Sequence, residues 1–132
     1  TKNYFIKPDT LQENLFDSVG KAIVEISKQI NAQAIVVFTF EGRTARIISK
    51  YRPDSKIIAI SNSFGTMNNL CLRWGVTSVY SERIDKEHIA IEDAKELILN
   101  AGLAAKGDLI IFTAGAPYSE KSRANWLRFE VI

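Results

Sequence analysis

The 132-residue chain carries 17 Lys and Arg against 15 Asp and Glu, a formal charge of +2, and 46% of its residues are hydrophobic. That balance is ordinary for a soluble globular domain, and it is too near neutral for bulk charge to recruit nucleic acid. The one cysteine, Cys71, excludes an intramolecular disulfide, and no apolar run approaches the roughly 20 residues that a membrane-spanning helix needs.

Residues 1–7 show no period, and Pro8 marks a boundary. Thr10 and Glu13 form a capping-box pair, after which Leu11, Leu15, Val19, Ala22, Ile23, Ile26 and Ile30 recur at helical steps. The spacing predicts a long amphipathic helix with one apolar stripe, stopping near Asn31. Ala34 to Phe38 is a short, wholly apolar run, the pattern of a strand covered on both faces. A turn at Gly42 leads to a second, shorter helix carrying Ala45, Ile47, Ile48 and Tyr51 and closed by Pro53. Ile57 to Ile60 reads as the next strand. Ser61-Asn62-Ser63 offers N-cap chemistry for a third helix with Met67, Leu70, Cys71 and Trp74. Met67 and Trp74 are expected in the core, and Cys71 as a buried structural thiol.

Val76 to Tyr80 is a third strand and Ser81 to His88 a polar loop. Ile89, Ala90, Ala94, Leu97, Ile98 and Ala101 give a fourth helix ended by Gly102. Asp108 to Thr113 is a fourth strand, and Ala114 to Arg123 a loop. From Asn125 to Ile132, Leu127, Phe129 and Val131 alternate with Arg128 and Glu130, as in a half-exposed edge strand. Helix and strand alternate throughout, so the class is α/β with helices on both faces of a mostly parallel sheet. With no internal repeat, residues 1–132 are expected to form one domain, with 1–9 as a lead-in.

The order of these segments resembles the C-terminal domain of pyruvate kinases. INAQAIVV is similar to that family's helix-into-strand entry, and FTFEGRTARIISKYRPDSKIIAIS to its T-x-x-G-[KR]-[ST] turn, KYRP-like helix and second strand. LRWGVTSVY, GLAAKGDLIIFTAGAP and the closing FEVI resemble later family segments in the same order. The resemblance implies a three-layer α/β/α sandwich, with a five-stranded, mostly parallel sheet whose last strand is antiparallel. It further implies a parent enzyme that transfers a phosphoryl group from phosphoenolpyruvate to ADP in glycolysis. That chemistry would sit in a separate (β/α)8 barrel holding Mg²⁺ and K⁺. No residue of this chain matches a catalytic or metal position. The domain's expected roles are contact with the rest of the parent enzyme, assembly into a tetramer, and binding of a sugar-phosphate or nucleotide effector.

Carried onto this sequence, the effector site comprises the turn residues Thr39, Glu41, Gly42, Arg43 and Thr44, with Ser119, Lys121, Ser122 and Arg123 from the loop before the last strand. Hydroxyls and N–H groups at a helix start would donate to phosphate oxygens, and the cations would add charge. Two departures oppose simple transfer. Glu41 stands where effector-binding members often have Ser, and a carboxylate ~5 Å from a phosphate costs about 3 kcal/mol per unit phosphate charge at an effective dielectric of ~20. The stretch Tyr118 to Ala124 lacks the glycines that would let backbone approach a ligand.

Arg43, Arg46 and Lys50 share one helix face, read as a solvated or subunit-contact surface rather than a nucleic-acid patch. His88, the only histidine, reads as a surface residue with no partner at metal-ligand spacing. Ser119 and Ser122 lack a triad pattern. The chain starts at Thr1 without an initiator Met or a signal-peptide pattern, which fits a cytoplasmic segment of a longer protein. The alternatives are a stand-alone phosphate-binding protein of the same fold and a purely structural assembly module.

Overall fold

The computed structural model describes residues 8–82, 87–114 and 126–132; of these, the side chains of 8–14, 16 and 87–89 lie outside the description. The elements run α1 (Pro8–Ile30), β1 (Ala34–Phe38), α2 (Arg43–Lys50), β2 (Lys56–Ser61), α3 (Phe64–Leu70), β3 (Val76–Tyr80), α4 (Glu87–Asn100), β4 (Leu109–Ala114) and β5 (Trp126–Val131). The strands form one sheet in the order β3-β2-β1-β4-β5. β1 pairs in parallel with β2 and β4, β2 pairs in parallel with β3, and β5 closes the sheet antiparallel to β4.

Strand periodicity divides the core into two layers. Val36, Phe38, Ile58, Ile60, Ile110 and Phe112 point to one face, where Ala90, Ile91, Ala94 and Ile98 of α4 cover them. Ile35, Val37, Ile57, Ala59 and Ile111 point to the other, against Ile23 and Val24 of α1, Ala45 and Ile48 of α2, and Leu70 of α3. This three-layer arrangement, including the antiparallel last strand, matches the expectation from sequence. Each residue of β1 is buried because helices lie on both of its faces.

Polar contacts tie the layers together. Asp17 of α1 accepts hydrogen bonds from Lys50 Nζ at 2.5 Å and Tyr51 Oη at 2.6 Å, clamping α1 to the end of α2. Lys95 of α4 forms an ion pair with Glu130 of β5.

Several local expectations are corrected. α1 begins at Pro8, two residues before Thr10, and the side chains of the Thr10–Glu13 capping pair are outside the described set. α3 ends at Leu70 rather than reaching Trp74. In so short a helix only Leu70 is buried. Cys71 therefore projects outward as an exposed thiol, its Sγ 2.9 Å from the Asn68 carbonyl. Trp74 is 48% exposed for the same reason, and Met67 is only partly buried. α4 starts at Glu87, so His88 belongs to a helix rather than to the preceding loop. The α1 stripe is also less buried than its pattern suggests: Ile23 is in the core, whereas Leu15 and Val19 are exposed.

Candidate functional site

Thr39 follows directly from β1, its amide donating to the Ile60 carbonyl at 2.9 Å as though the strand pairing ran one residue further. The Thr39 hydroxyl, almost fully buried, accepts a hydrogen bond from the Gly42 amide at 2.7 Å. Gly42 is the N-cap of α2 at φ 85°, ψ 4°, in the left-handed region where a side chain is disfavoured. A Cβ there would also sit 3.2 Å from Leu70 Cδ2 and 3.3 Å from Thr66 Cγ2, so the turn is packed directly on α3. Thr66 supports it from below, its hydroxyl donating to the Phe40 carbonyl at 2.6 Å.

The first turn of α2 leaves donors available. The amides of Thr44 and Ala45 and the Thr44 hydroxyl make no hydrogen bond to any described residue. These donors sit at the positive end of the α2 dipole, the arrangement that favours an anion. Thr44 itself is 4% exposed, so its side chain is held in place by packing.

Glu41 points outward and pairs with Arg43 at 3.6 Å, both side chains being about half exposed. An exposed pair of this kind contributes only about 0–1 kcal/mol, so either partner can swing away at little cost. The carboxylate is therefore a weaker obstacle to an anion than an unpaired Glu41 would be.

Position in the sheet strengthens the case for a site at this turn. β1 and β4 are neighbours, with Phe38 in register with Ala114. The chain leaves β1 toward α2 on one face, whereas β4 is reached from α4 on the other. The crevice at the carboxyl ends of two such strands is where open α/β sheets bind ligands. The Thr39–Thr44 turn occupies the β1 side of that switch point. Ser119, Lys121, Ser122 and Arg123, expected on the β4 side, lie outside the described residues.

Sequence reasoning missed a second cluster. Arg52, Arg73 and Trp74 join Arg43, Arg46 and Lys50 around an open cleft of about 610 Å³ on the outer side of α2. The K-Y-R-P and L-R-W-G segments each hold exposed cations beside a helix end, but 18 residues separate them, and only the fold brings them together. Among the described residues no group of three or more His, Cys, Asp or Glu is placed to hold a metal ion. No helix there is long and apolar enough to cross a membrane.

The chain matches the family model described as pyruvate kinase, alpha/beta domain, over residues 17–129. It is similar to the pyruvate kinase of Staphylococcus epidermidis strain ATCC 35984, 34% identical over 122 residues that cover 92% of this chain and 21% of the relative. It is also similar to that of Lactobacillus delbrueckii subsp. bulgaricus, 29% identical over 90% of this chain and 20% of the relative. Among solved structures, Cryptosporidium parvum pyruvate kinase in complex with ADP aligns with a TM-score of 0.77 and 29% identity, over 87% of this chain and 23% of that one. The chain thus spans about a fifth of the length of these curated relatives. With a sheet order, a closing antiparallel strand and a matched span that all agree, this chain belongs to the pyruvate kinase α/β-domain family.

Proposed function

We propose that the chain acts as the C-terminal regulatory and assembly domain of a pyruvate kinase. The parent enzyme would transfer phosphoryl from phosphoenolpyruvate to ADP, giving pyruvate and ATP, in the cytoplasm. Catalysis, with Mg²⁺ and K⁺, belongs to the barrel domain of that parent. The observation that carries the regulatory part is the Gly42 turn: amides without a partner among the described residues and a fixed Thr44 hydroxyl at a helix start, beside the sheet's switch point. A sugar phosphate such as fructose 1,6-bisphosphate is the ligand class, and its preferential binding to one subunit arrangement would shift the parent's affinity for phosphoenolpyruvate.

Support for assembly comes from β5. Leu127, Phe129 and Val131 lie on the α1 side of the sheet, with Phe129 52% and Val131 67% exposed. A largely apolar groove of about 340 Å³ separates β5 from α1, between Val19, Ala22 and Ile26 on one wall and Leu127 on the other. An edge strand with an uncovered apolar face is the kind of surface that subunits bury. In a second reading the domain serves assembly alone. This is favoured by the Thr39 hydroxyl, which already consumes the Gly42 amide that a phosphate would use.

Calorimetric titration of the chain with fructose 1,6-bisphosphate at low salt separates the two readings. Saturable binding that Thr44→Ala abolishes, and that Glu41→Ser strengthens by about two- to fivefold through loss of a screened charge, establishes the effector site. No heat from the folded chain leaves the assembly role.

A further inference from the structure

Five cations line the cleft on the outer side of α2: Arg43, Arg46, Lys50 and Arg52 from the helix and its end, and Arg73 from the segment after α3. Its volume of about 610 Å³ falls within the roughly 300–1,000 Å³ typical of small-molecule sites. Arg43 is paired with Glu41 and Lys50 with Asp17. Arg46, Arg52 and Arg73 have no carboxylate within ion-pair distance among the described residues. Arg46 reaches only the Glu41 carbonyl, at 3.4 Å. Three guanidinium charges thus face one concavity without a counterion among the described residues. The C-terminal end of the α2 dipole offsets about half of one charge.

The aromatic wall distinguishes this cleft from an ordinary solvated basic face. Trp74 is half exposed, and its backbone is fixed by a hydrogen bond from Ser49 Oγ to the Trp74 carbonyl at 2.7 Å. The Arg52 guanidinium lies 5.3 Å from the Trp74 ring centroid. Arg52 itself has φ 47°, the left-handed position just beyond a helix where glycine is the favoured residue. A cation and an indole are therefore held side by side at a position where the backbone alone would select glycine.

Guanidinium groups bind phosphate through paired N–H donors, and an exposed indole provides a face for stacking a base. Inorganic phosphate or a sugar phosphate would use the cations and leave Trp74 idle. We propose that this cleft, formed by Arg46, Arg52, Arg73 and Trp74, binds a nucleoside phosphate. The cleft adjoins the Gly42 turn through Arg43, which borders both, but neither Thr39 nor Thr44 lines it.

The test is titration of the 132-residue chain with AMP at low salt, followed by calorimetry and tryptophan fluorescence, with ribose 5-phosphate and adenosine as comparison ligands. Circular dichroism checks the folding of every variant. Saturable AMP binding that weakens as salt is added is expected. Arg73→Gln and Arg46→Gln should each weaken it about tenfold or more, as loss of a charge-assisted contact does. Trp74→Leu should weaken AMP about fivefold or more while leaving ribose 5-phosphate unaffected. Arg52→Gly is the most discriminating variant. It removes the guanidinium while giving the left-handed position its favoured residue, so lost binding with an undiminished melting temperature is not misfolding.

Thr44→Ala, outside the cleft, should leave AMP affinity within about twofold, whatever the fate of sugar-phosphate binding at the turn. AMP binding abolished by Thr44→Ala would instead assign the phosphate to the turn and overturn the proposal. So would silence of AMP with the folded chain, or affinity unchanged in both Arg52→Gly and Arg73→Gln. Ribose 5-phosphate binding as tightly as AMP would overturn the nucleoside class.

Discussion

Gly20→Ala tests how closely α1 and α2 must approach. Gly20 is buried in the middle of α1, where glycine disfavours a helix by about 0.8–1.0 kcal/mol relative to alanine. On propensity alone the substitution should stabilise the chain. The packing predicts the opposite. A Cβ at Gly20 would lie 2.3 Å from Ile47 Cγ2 and 3.2 Å from Ile47 Cβ, whereas carbon atoms in good contact stand about 3.5–4.0 Å apart. The methyl in the way is attached directly to a branched Cβ, and a helical isoleucine keeps one χ1 rotamer about 90% of the time. Ile47 cannot simply turn aside, so the helices must separate or the rotamer must strain. Overpacking of this kind costs about 1–3 kcal/mol.

After the propensity gain of about 0.8–1.0 kcal/mol, a net loss of up to about 2 kcal/mol is expected, a fall of up to roughly 10 °C in melting temperature for a chain of this size. The assay is a double-mutant cycle by urea denaturation, with Ile47→Ala as the second substitution. Removing the Ile47 branch should reverse the sign, so that Gly20→Ala becomes stabilising by about 0.5–1 kcal/mol in the Ile47→Ala background. Equal effects of Gly20→Ala in both backgrounds would refute the packing argument.

The Asp17 clamp should leave a mark on pH dependence. The hydrogen bond from Lys50, then that from Tyr51, holds the Asp17 carboxyl below its ordinary value of 3.8. A lowered folded-state value stabilises the fold above the unfolded value, and that contribution is lost as pH falls through the folded one. Asp17→Asn should therefore lower the urea midpoint at pH 6, with the gap to wild type closing below about pH 4. A gap that does not narrow at all as pH falls below the ordinary carboxylate value would argue against the charge. Both Lys50 and Tyr51 are raised, chiefly by their hydrogen bonds to Asp17, so the gap should also narrow as pH rises past their ordinary values of 10.5 and 10.0. Ser63 caps α3 by accepting from the Thr66 amide at 3.3 Å, and Ser63→Ala should cost about 1 kcal/mol. Because Thr66 braces the Phe40 carbonyl, hydrogen exchange at Gly42 should quicken in the same variant, and unchanged exchange would show that the turn is independent of α3.

The sequence alone determined the order of the elements and the position of the Gly42 turn. The unbroken apolar run of β1 admits little but a strand covered on both faces, and the spacing of Ala90, Ala94 and Ile98 makes a helix with one buried face. Gly42 announced its turn because a left-handed N-cap position disfavours any side chain. These are local consequences of backbone sterics and hydrophobic period, and they survive without knowledge of neighbours.

What surrounds each element was decided only by the tertiary structure. Periodicity marks Leu15, Val19 and Ile23 as one stripe, yet Ile23 is buried in the core while Leu15 and Val19 are exposed. Cys71 and Trp74 looked like core residues from composition. A helix that stops at Leu70 turns both outward, and where a short helix stops depends on the strand it must reach. The pairing of Glu41 with Arg43 softened an electrostatic objection that sequence could state but not scale. The basic cleft is the plainest case. Arg52 and Arg73 belong to different crossovers of the sheet, and no linear pattern encodes their meeting. They converge because β1, β2 and β3 are laid side by side in parallel, which stacks the end of α2 against the segment that follows α3.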